Sequence, residues 1–349
     1  MKLRAILAVC AVALAVVAGL AFWRLSDHDL ERRTSDSFGF AVDGAQLDGR
    51  LWLPDKPIIA ALVLVHGDGP QDRLSGGGYP PLINALLDAG IAVASWDKAG
   101  VGASQGNWLD QTMEGRAVET VAALDALAMR LDGTPVGALG FSQAGWVLPR
   151  LASDQADFIV LVGPAVSWRD QGAYYTATRL RLEGASETEI AEAFAYAEIE
   201  NERLFGAGAR FDSSQFTNDM DEARWAFIQR NRNEDARGFL GELEIPTLAM
   251  WGEDDLNVDA ANDAAIFRAT MLDQHPANEI VVVPHGTHGL LKAGPYNAQL
   301  TSTWPWHTVF RFMIEGQRAW APGALDLMIE WIAARAAAAG DETYRSAIR

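Results

Sequence analysis

Six short, nearly unbroken apolar runs punctuate this chain: 58–67 (IIAALVLVHG), 91–97 (IAVASWD), 135–141 (PVGALGF), 158–164 (FIVLVGP), 245–252 (IPTLAMWG) and 278–286 (NEIVVVPHG). Runs of that length without polar alternation read as strands buried on both faces. Between them lie segments with helical spacing. PLINALLDAG (81–90) has Gly90 past its end, and EGRAVETVAALDALAMRL (114–131) is longer. Strand alternating with helix leads to a mostly parallel sheet covered on both sides. Ahead of the first run, FGFAVDG and LDGRLWLP suggest an antiparallel pair turning near Asp43-Gly44. ALDLMIEWIAARAAAA closes the chain as an amphipathic helix. With 349 residues, nearly half of them apolar, the chain can fill such a core.

The alternation breaks once. Residues 168–243 hold helix-like and polar segments, such as ETEIAEAFAYAEIENERLF, and no convincing strand. A block inserted there is expected to form a helical cap over the carboxyl ends of the strands, where sheets of this kind bind ligands. Its aromatic residues (Trp168, Tyr174, Tyr175, Phe194, Tyr196, Phe205, Trp225, Phe227) predict an apolar pocket roof, or simply the packing of the cap.

Lys2 and Arg4 precede an uncharged run from Ala5 to Trp23. As a helix that run would reach about 28 Å, close to the hydrocarbon thickness of a bilayer. It reads as an export signal. Gly19-Leu20-Ala21 offers a small-x-small cleavage site, and the length also suits a retained anchor with Trp23 and Arg24 at the interface. The formal charge is −18 with scattered basic residues, which excludes a nucleic-acid binder. Cys10 is the only cysteine, so neither an intrachain disulfide nor a thiolate metal site can form.

Two serines compete for a catalytic role. GASQG (102–106) fits the G-x-S-x-G elbow of serine hydrolases letter for letter; GFSQAG (140–145) misses its last glycine by one place. A nucleophilic serine needs a sharp turn from strand to helix, with small neighbours and a following N–H at a helix start. Ser142 has a strand before it and helical spacing after it, whereas Ser104 sits in a glycine-rich loop. Ser142 is therefore the expected nucleophile. Its partners should follow in the order acid, then histidine. WGEDDLNVD supplies Asp255, with Asp254 as the alternative; PHGTHG supplies His288, with His285 as the competitor. The H-x-x-H pair has no third ligand nearby in sequence, so no metal is expected. For the oxyanion, the N–H of Gln143 is joined by that of Asp68, with Gly67 in reserve. His66 reads as a structural residue of that loop, and Asp97 and Lys98 as scaffold charges.

Taken together, VLVHGDGPQDR, SWDKAGVGASQG, GFSQAG, WGEDDLNV and PHGTHG resemble the α/β-hydrolase superfamily, and within it the bacterial esterases and serine-aminopeptidase-like hydrolases. The resemblance implies an α/β-hydrolase fold, a triad of Ser142, Asp255 and His288, an oxyanion hole of Asp68 and Gln143, and no cofactor. Ala144 departs from the usual glycine, and Ala99 stands where arginine is frequent. The expected organisation is a signal peptide or membrane anchor (1–24), a polar tether (25–37) and a hydrolase domain (38–349) whose cap spans about 168–243. The expected substrate is a small ester or thioester with an apolar acyl group. Peptide cleavage, acyl transfer and a catalytically inactive binding module are the alternatives. Membrane contact would come only through the N-terminal segment of an exported protein.

Overall fold

Eight strands form one sheet in the order β1-β2-β4-β3-β5-β6-β7-β8. The computed structural model describes Gly19, residues 25–216 and residues 220–348, with side chains through residue 339. The expected export segment lies, apart from Gly19, outside the described residues. Among those described, no helix is long and apolar enough to cross a membrane.

β1 (Thr34–Val42) and β2 (Ala45–Leu53) form the antiparallel hairpin. Its two-residue turn takes Asp43 and Gly44 to positive φ, as the tight turn of a right-twisted hairpin requires. β2 joins β4 (Ile91–Trp96) antiparallel. From there β3 (Ala60–Val65), β5 (Val136–Phe141), β6 (Phe158–Val162), β7 (Thr247–Gly252) and β8 (Glu279–Val283) run parallel.

Successive residues of β3 serve opposite cores, which explains its unbroken apolar run. Ala61, Val63 and Val65 meet helix α2 (Met113–Ala128), while Ala60, Leu62 and Leu64 meet α1 (Pro80–Asp88) and the final helix. Between β6 and β7 the chain forms α3 (Trp168–Leu182), α4 (Glu187–Phe205), α5 (Glu222–Asn231) and the short α6 (Arg237–Leu240). Ser186 and Glu189 close a capping box at the start of α4, and Asp221 caps α5. After β7 come α7 (Ala260–Met271), β8, α8 (Ala293–Tyr296), α9 (Trp306–Glu315) and α10 (Ala324–Ile348).

Two readings of local structure differ from the fold. The polar stretch 25–37 is built into the body. Ser26–His28 form a 3₁₀ turn, and β1 already begins at Thr34. Arg33 explains why: its guanidinium reaches Asn84 at 2.7 Å, Asp88 at 2.5 Å and Asp55 at 3.3 Å. Polarity there reflects an edge strand and a surface clamp. The helical spacing after Ser142 is realised only as two 3₁₀ turns, Ser142–Trp146 and Leu148–Arg150. Pro149 cannot donate to the carbonyl of Gly145, and its ring disfavours helical backbone at Leu148.

Candidate active site

Ser142 follows the last residue of β5 with φ +50°, a left-handed conformation a non-glycine residue adopts only when its surroundings impose it. The backbone on either side of it is tightly packed. A Cβ on Gly140 would stand 2.6 Å from the Ala144 Cβ and 2.8 Å from Leu148 Cδ1. The elbow thus has room for one methyl group between positions 140 and 144, and Ala144 supplies it. Gly145 takes the other close approach, where a Cβ would come within 2.6 Å of Pro164. The glycine missing from the motif is displaced by one place because a neighbouring loop, rather than β5, crowds that point.

Ser104 occupies a different environment. It is buried, its hydroxyl donates to the Asp97 carbonyl at 2.7 Å, and it accepts from the Asp48 N–H at 2.9 Å. The first closes the 97–106 loop on itself and the second ties it to β2.

His288 lies in a turn closed by Thr287 N–H to the Leu291 carbonyl (2.8 Å) and by Leu291 N–H to Thr287 Oγ1 (3.1 Å). Its ring borders the end of β6: an added Cβ at Gly163 would come within 2.8 Å of His288 Nδ1. β6 pairs with β5, so His288 and Ser142 both lie at the carboxyl end of the sheet, beside adjacent strands. Nδ1 is 2.8 Å from Asp255 Oδ2. A carboxylate only accepts, so Nδ1 carries the proton and Nε2 is left as an acceptor. Asp255 is 2% exposed, and its Oδ1 accepts from the N–H groups of Asn257 (2.7 Å) and Val258 (3.0 Å). Burial alone would depress the His288 pKa; the charge and hydrogen bond of Asp255 outweigh it, and the net shift is upward.

The alternatives go elsewhere. The His285 side chain is 85% exposed, and its Nδ1 faces Asp254 at 3.7 Å and Glu253 at 4.0 Å. The two histidines of the H-x-x-H pair thus engage different carboxylates. Ligand atoms of Glu253, Asp254 and His285 do gather within 4.8 Å of one another, but all three residues are exposed.

On the other flank, an added Cβ at Gly67 would stand 3.4 Å from the Ser142 Cβ, so the 66–72 loop runs beside the serine. Two buried basic side chains lie beneath it. Lys98 Nζ donates to the carbonyls of Gly67 (2.8 Å) and Gly69 (3.0 Å). Arg116, from the first turn of α2, donates to the His66 carbonyl at 2.6 Å and to Gln143 Oε1 at 2.5 Å. Burial, followed by the neighbouring Arg116 charge, pushes the Lys98 pKa well below its ordinary value. In a trans peptide the C=O and the next N–H point opposite ways. Lys98 holding the Gly67 carbonyl therefore turns the Asp68 N–H away from itself. Gln143 is the second residue of its 3₁₀ turn, so its N–H has no carbonyl within the turn to meet.

The Asp68 and Gln143 side chains tie this loop to the elbow and the cap. Gln143 Nε2 donates to Asp68 Oδ1 at 3.0 Å, and Arg224 of α5 forks onto Asp68 at 2.8 and 3.2 Å. Burial would raise the Asp68 pKa; Arg224 leads the opposing contributions and the net shift is downward. His66 is buried, with its pKa lowered to about 3, chiefly by burial. Its Nε2 donates to the Trp96 carbonyl at 2.6 Å, which leaves Nδ1 to accept from the Tyr79 hydroxyl at 3.2 Å. Asp97 lies in the fork of Arg73. Arg116 carries no motif in the sequence, and nothing there separates it from any other polar residue of a helix.

The cap meets the site through Tyr174, whose hydroxyl donates to the Asp255 carbonyl at 2.8 Å, and through Arg224. Its aromatic residues divide. Trp168 stacks on Trp146 and meets Phe227, whereas Phe205 and Trp225 pack within the cap with Phe211 and Phe216, and Tyr196 is exposed.

The family profile described as serine aminopeptidase, S33, matches residues 56–293. The 2-hydroxy-6-oxo-6-phenylhexa-2,4-dienoate hydrolase of Burkholderia cepacia is 25% identical over 251 residues, covering 65% of this chain and 82% of that protein. An esterase of Pyrococcus furiosus superposes with a TM-score of 0.50 at 15% identity, covering 83% of this chain and 92% of the esterase. A thermostable carboxyl esterase of Bacillus coagulans, solved with glycerol, gives a TM-score of 0.50 at 15% identity over 72% of this chain and 90% of its own. The two structures share the fold. The profile spans more than half of the sequence and with it the loops of both flanks: this chain belongs to the serine aminopeptidase S33 family of α/β-hydrolases, and is a hydrolase.

Proposed function

We propose that the protein cleaves carboxylic esters or thioesters through an acyl-enzyme on Ser142, with His288 as the base and Asp255 orienting it. The observations that carry this reading are the left-handed backbone of Ser142 at φ +50° at the end of β5 and the hydrogen bond that fixes His288 Nδ1 on the buried Asp255 carboxylate. His288 Nε2 takes the Ser142 proton as Oγ attacks the acyl carbon. The tetrahedral oxyanion accepts from the N–H groups of Gln143 and Asp68. As it collapses, the imidazolium returns the proton to the departing alcohol or thiol. Water, activated by the same nitrogen, then releases the acid and frees Ser142. No step needs a cofactor.

We further propose an apolar acyl group, a preference supported by the aromatic content of the cap around Trp168 and Phe227. Residues 1–24 are proposed to export the chain, as a cleaved signal or a retained anchor, supported by the basic start and the uncharged run. The test is a panel of p-nitrophenyl esters, acyl-CoAs and aminoacyl-anilides. Turnover of medium-chain esters that disappears in Ser142→Ala supports the reading. Turnover confined to aminoacyl-anilides makes the protein a peptidase, and turnover confined to charged or sugar esters removes the apolar preference.

A further inference from the structure

Helix α9 is apolar on two sides. Thr308 and Phe312 are buried, and Phe312 packs on Tyr296 and Trp304. A second side is apolar and faces outward: Trp306 is 79% exposed, Phe310 61% and Val309 45%. At about 100° per residue, these three and the half-buried Met313 fall within an arc of about 100°. Large apolar side chains grouped this way mark an interaction surface.

The chain enters the described body at this helix. The His28 ring stands edge-on to Phe312 at 5.1 Å, and its Nε2 reaches the Phe312 carbonyl at 3.2 Å. Asp27 Oδ2 accepts from the Gln317 N–H at 3.0 Å, just past the end of α9, and Asn84 of α1 holds the Asp27 carbonyl at 2.9 Å. Residues 27–29 are thereby clamped. Trp23, the last residue of the uncharged N-terminal run, stands four positions before Asp27. Four residues span at most ~14 Å, and α9 itself is about 15 Å long. A run embedded in a bilayer keeps α9 within a helix length of its surface.

We propose that the Trp306–Val309–Phe310 face of α9 seats in the interface of the bilayer that holds residues 5–23, fixing the hydrolase body on the membrane in one orientation. The proposal rests on the anchored form of the export reading. The occupant is an apolar interface, because a chain of net charge −18 gains little from an anionic surface. A tryptophan at the outer edge of an amphipathic helix suits the headgroup boundary. Four side chains on one ten-residue helix fall far below the 20–30 residues a side of a stable protein interface, so a second copy is a poor fit. The loop feeding α9 also grips the site. Gln299 donates to the carbonyls of Tyr175 and Leu256, each at 2.9 Å, and Asn297 to that of Asp254 at 2.9 Å. Seating α9 orients the cap and the acid loop with it.

The test uses the full chain in a Cys10→Ser background, reconstituted with phosphatidylcholine vesicles. Nitroxide labels are placed at Phe310→Cys or Val309→Cys, and for control at Met129→Cys, a residue 79% exposed at the end of α2. Each variant is checked by thermal melt and ester turnover. The protein should float with the vesicles. The labels at 309 and 310 should collide with dissolved oxygen and be shielded from a water-soluble nickel chelate, while the label at 129 meets the chelate freely. Flotation with equal chelate access at all three positions overturns the docking face and leaves the anchor standing. Failure to float overturns the anchor reading and the proposal with it. Broadening between labels that vanishes on dilution with unlabelled protein means that a second copy covers the face, and also overturns it.

Discussion

The two flanks of Ser142 use charge in opposite ways. On one side, the Asp255 carboxylate is buried, hydrogen-bonded by two backbone N–H groups and paired directly with the His288 imidazole. On the other, Lys98 and Arg116 are buried beneath the 66–72 loop and bind the carbonyls of Gly67, Gly69 and His66. These side chains hold the peptide planes of the loop. In the proposed mechanism one flank moves a proton and the other aims dipoles, so breaking each should leave a different kinetic signature.

The largest effect among the flanking residues is expected at Asp255→Asn. Losing the tautomer control on His288 should lower kcat by about 10³ to 10⁴, by analogy with other triads. The pH profile sharpens the test. The base must be neutral, so activity in the parent is lost as pH falls through the His288 pKa, which lies above the ordinary 6.5. In Asp255→Asn the upward influences vanish while burial remains, so that limb should move to lower pH. Stability runs the other way. The raised pKa means that the Asp255–His288⁺ pair stabilises the fold fully below about 6.5, and this contribution fades as pH rises through the folded value. An acid limb unmoved by the substitution would detach Asp255 from His288.

Lys98→Met comes next. It keeps the length of the stem and removes the grip on Gly67, so the Asp68 N–H loses its fixed direction. Loss of a whole oxyanion donor costs about 10² to 10³ in kcat; a loosened one should cost about tenfold to a hundredfold, with little change in KM. A purely structural lysine would instead lower the melting temperature and leave kcat of the remaining folded protein intact.

A smaller effect, on stability alone, tests the elbow between the flanks. Gly140→Ala forces a second methyl against Ala144, at an overpacking cost of about 1–3 kcal/mol. Ala144→Gly in the same chain should restore part of that loss, measured by denaturant titration. An additive pair of effects would show that the two positions do not share one space.

The pairing of Asp255 with His288 was readable because each follows an apolar run in sequence, and parallel strands deliver such positions to one end of the sheet. The dipole-aiming flank was only half readable. The glycines of the 66–72 loop were visible and Lys98 registered as a scaffold charge, but Arg116 looks like any polar residue of a helix until α2 packs under the loop. Residues 25–37 read as a tether because Arg33 finds Asn84 and Asp88 only once α1 is placed. In the cap, aromatic composition gave no means of telling a residue near the site, such as Trp168, from Phe205 and Trp225, which face each other.

The central claim is that Ser142, and not the serine that fits the motif better, attacks the substrate. Ser104 already spends its hydroxyl on Asp97 and Asp48, so Ser104→Ala should cost on the order of 1 kcal/mol per lost hydrogen bond and leave the chemistry in place. A fluorophosphonate probe labels only an activated serine. Applied to folded protein, it should label the parent and Ser104→Ala alike and leave Ser142→Ala blank, with kcat of the latter lower on the order of 10⁴-fold or more. Labelling and turnover in Ser142→Ala, with silence in a folded Ser104→Ala, would contradict the account.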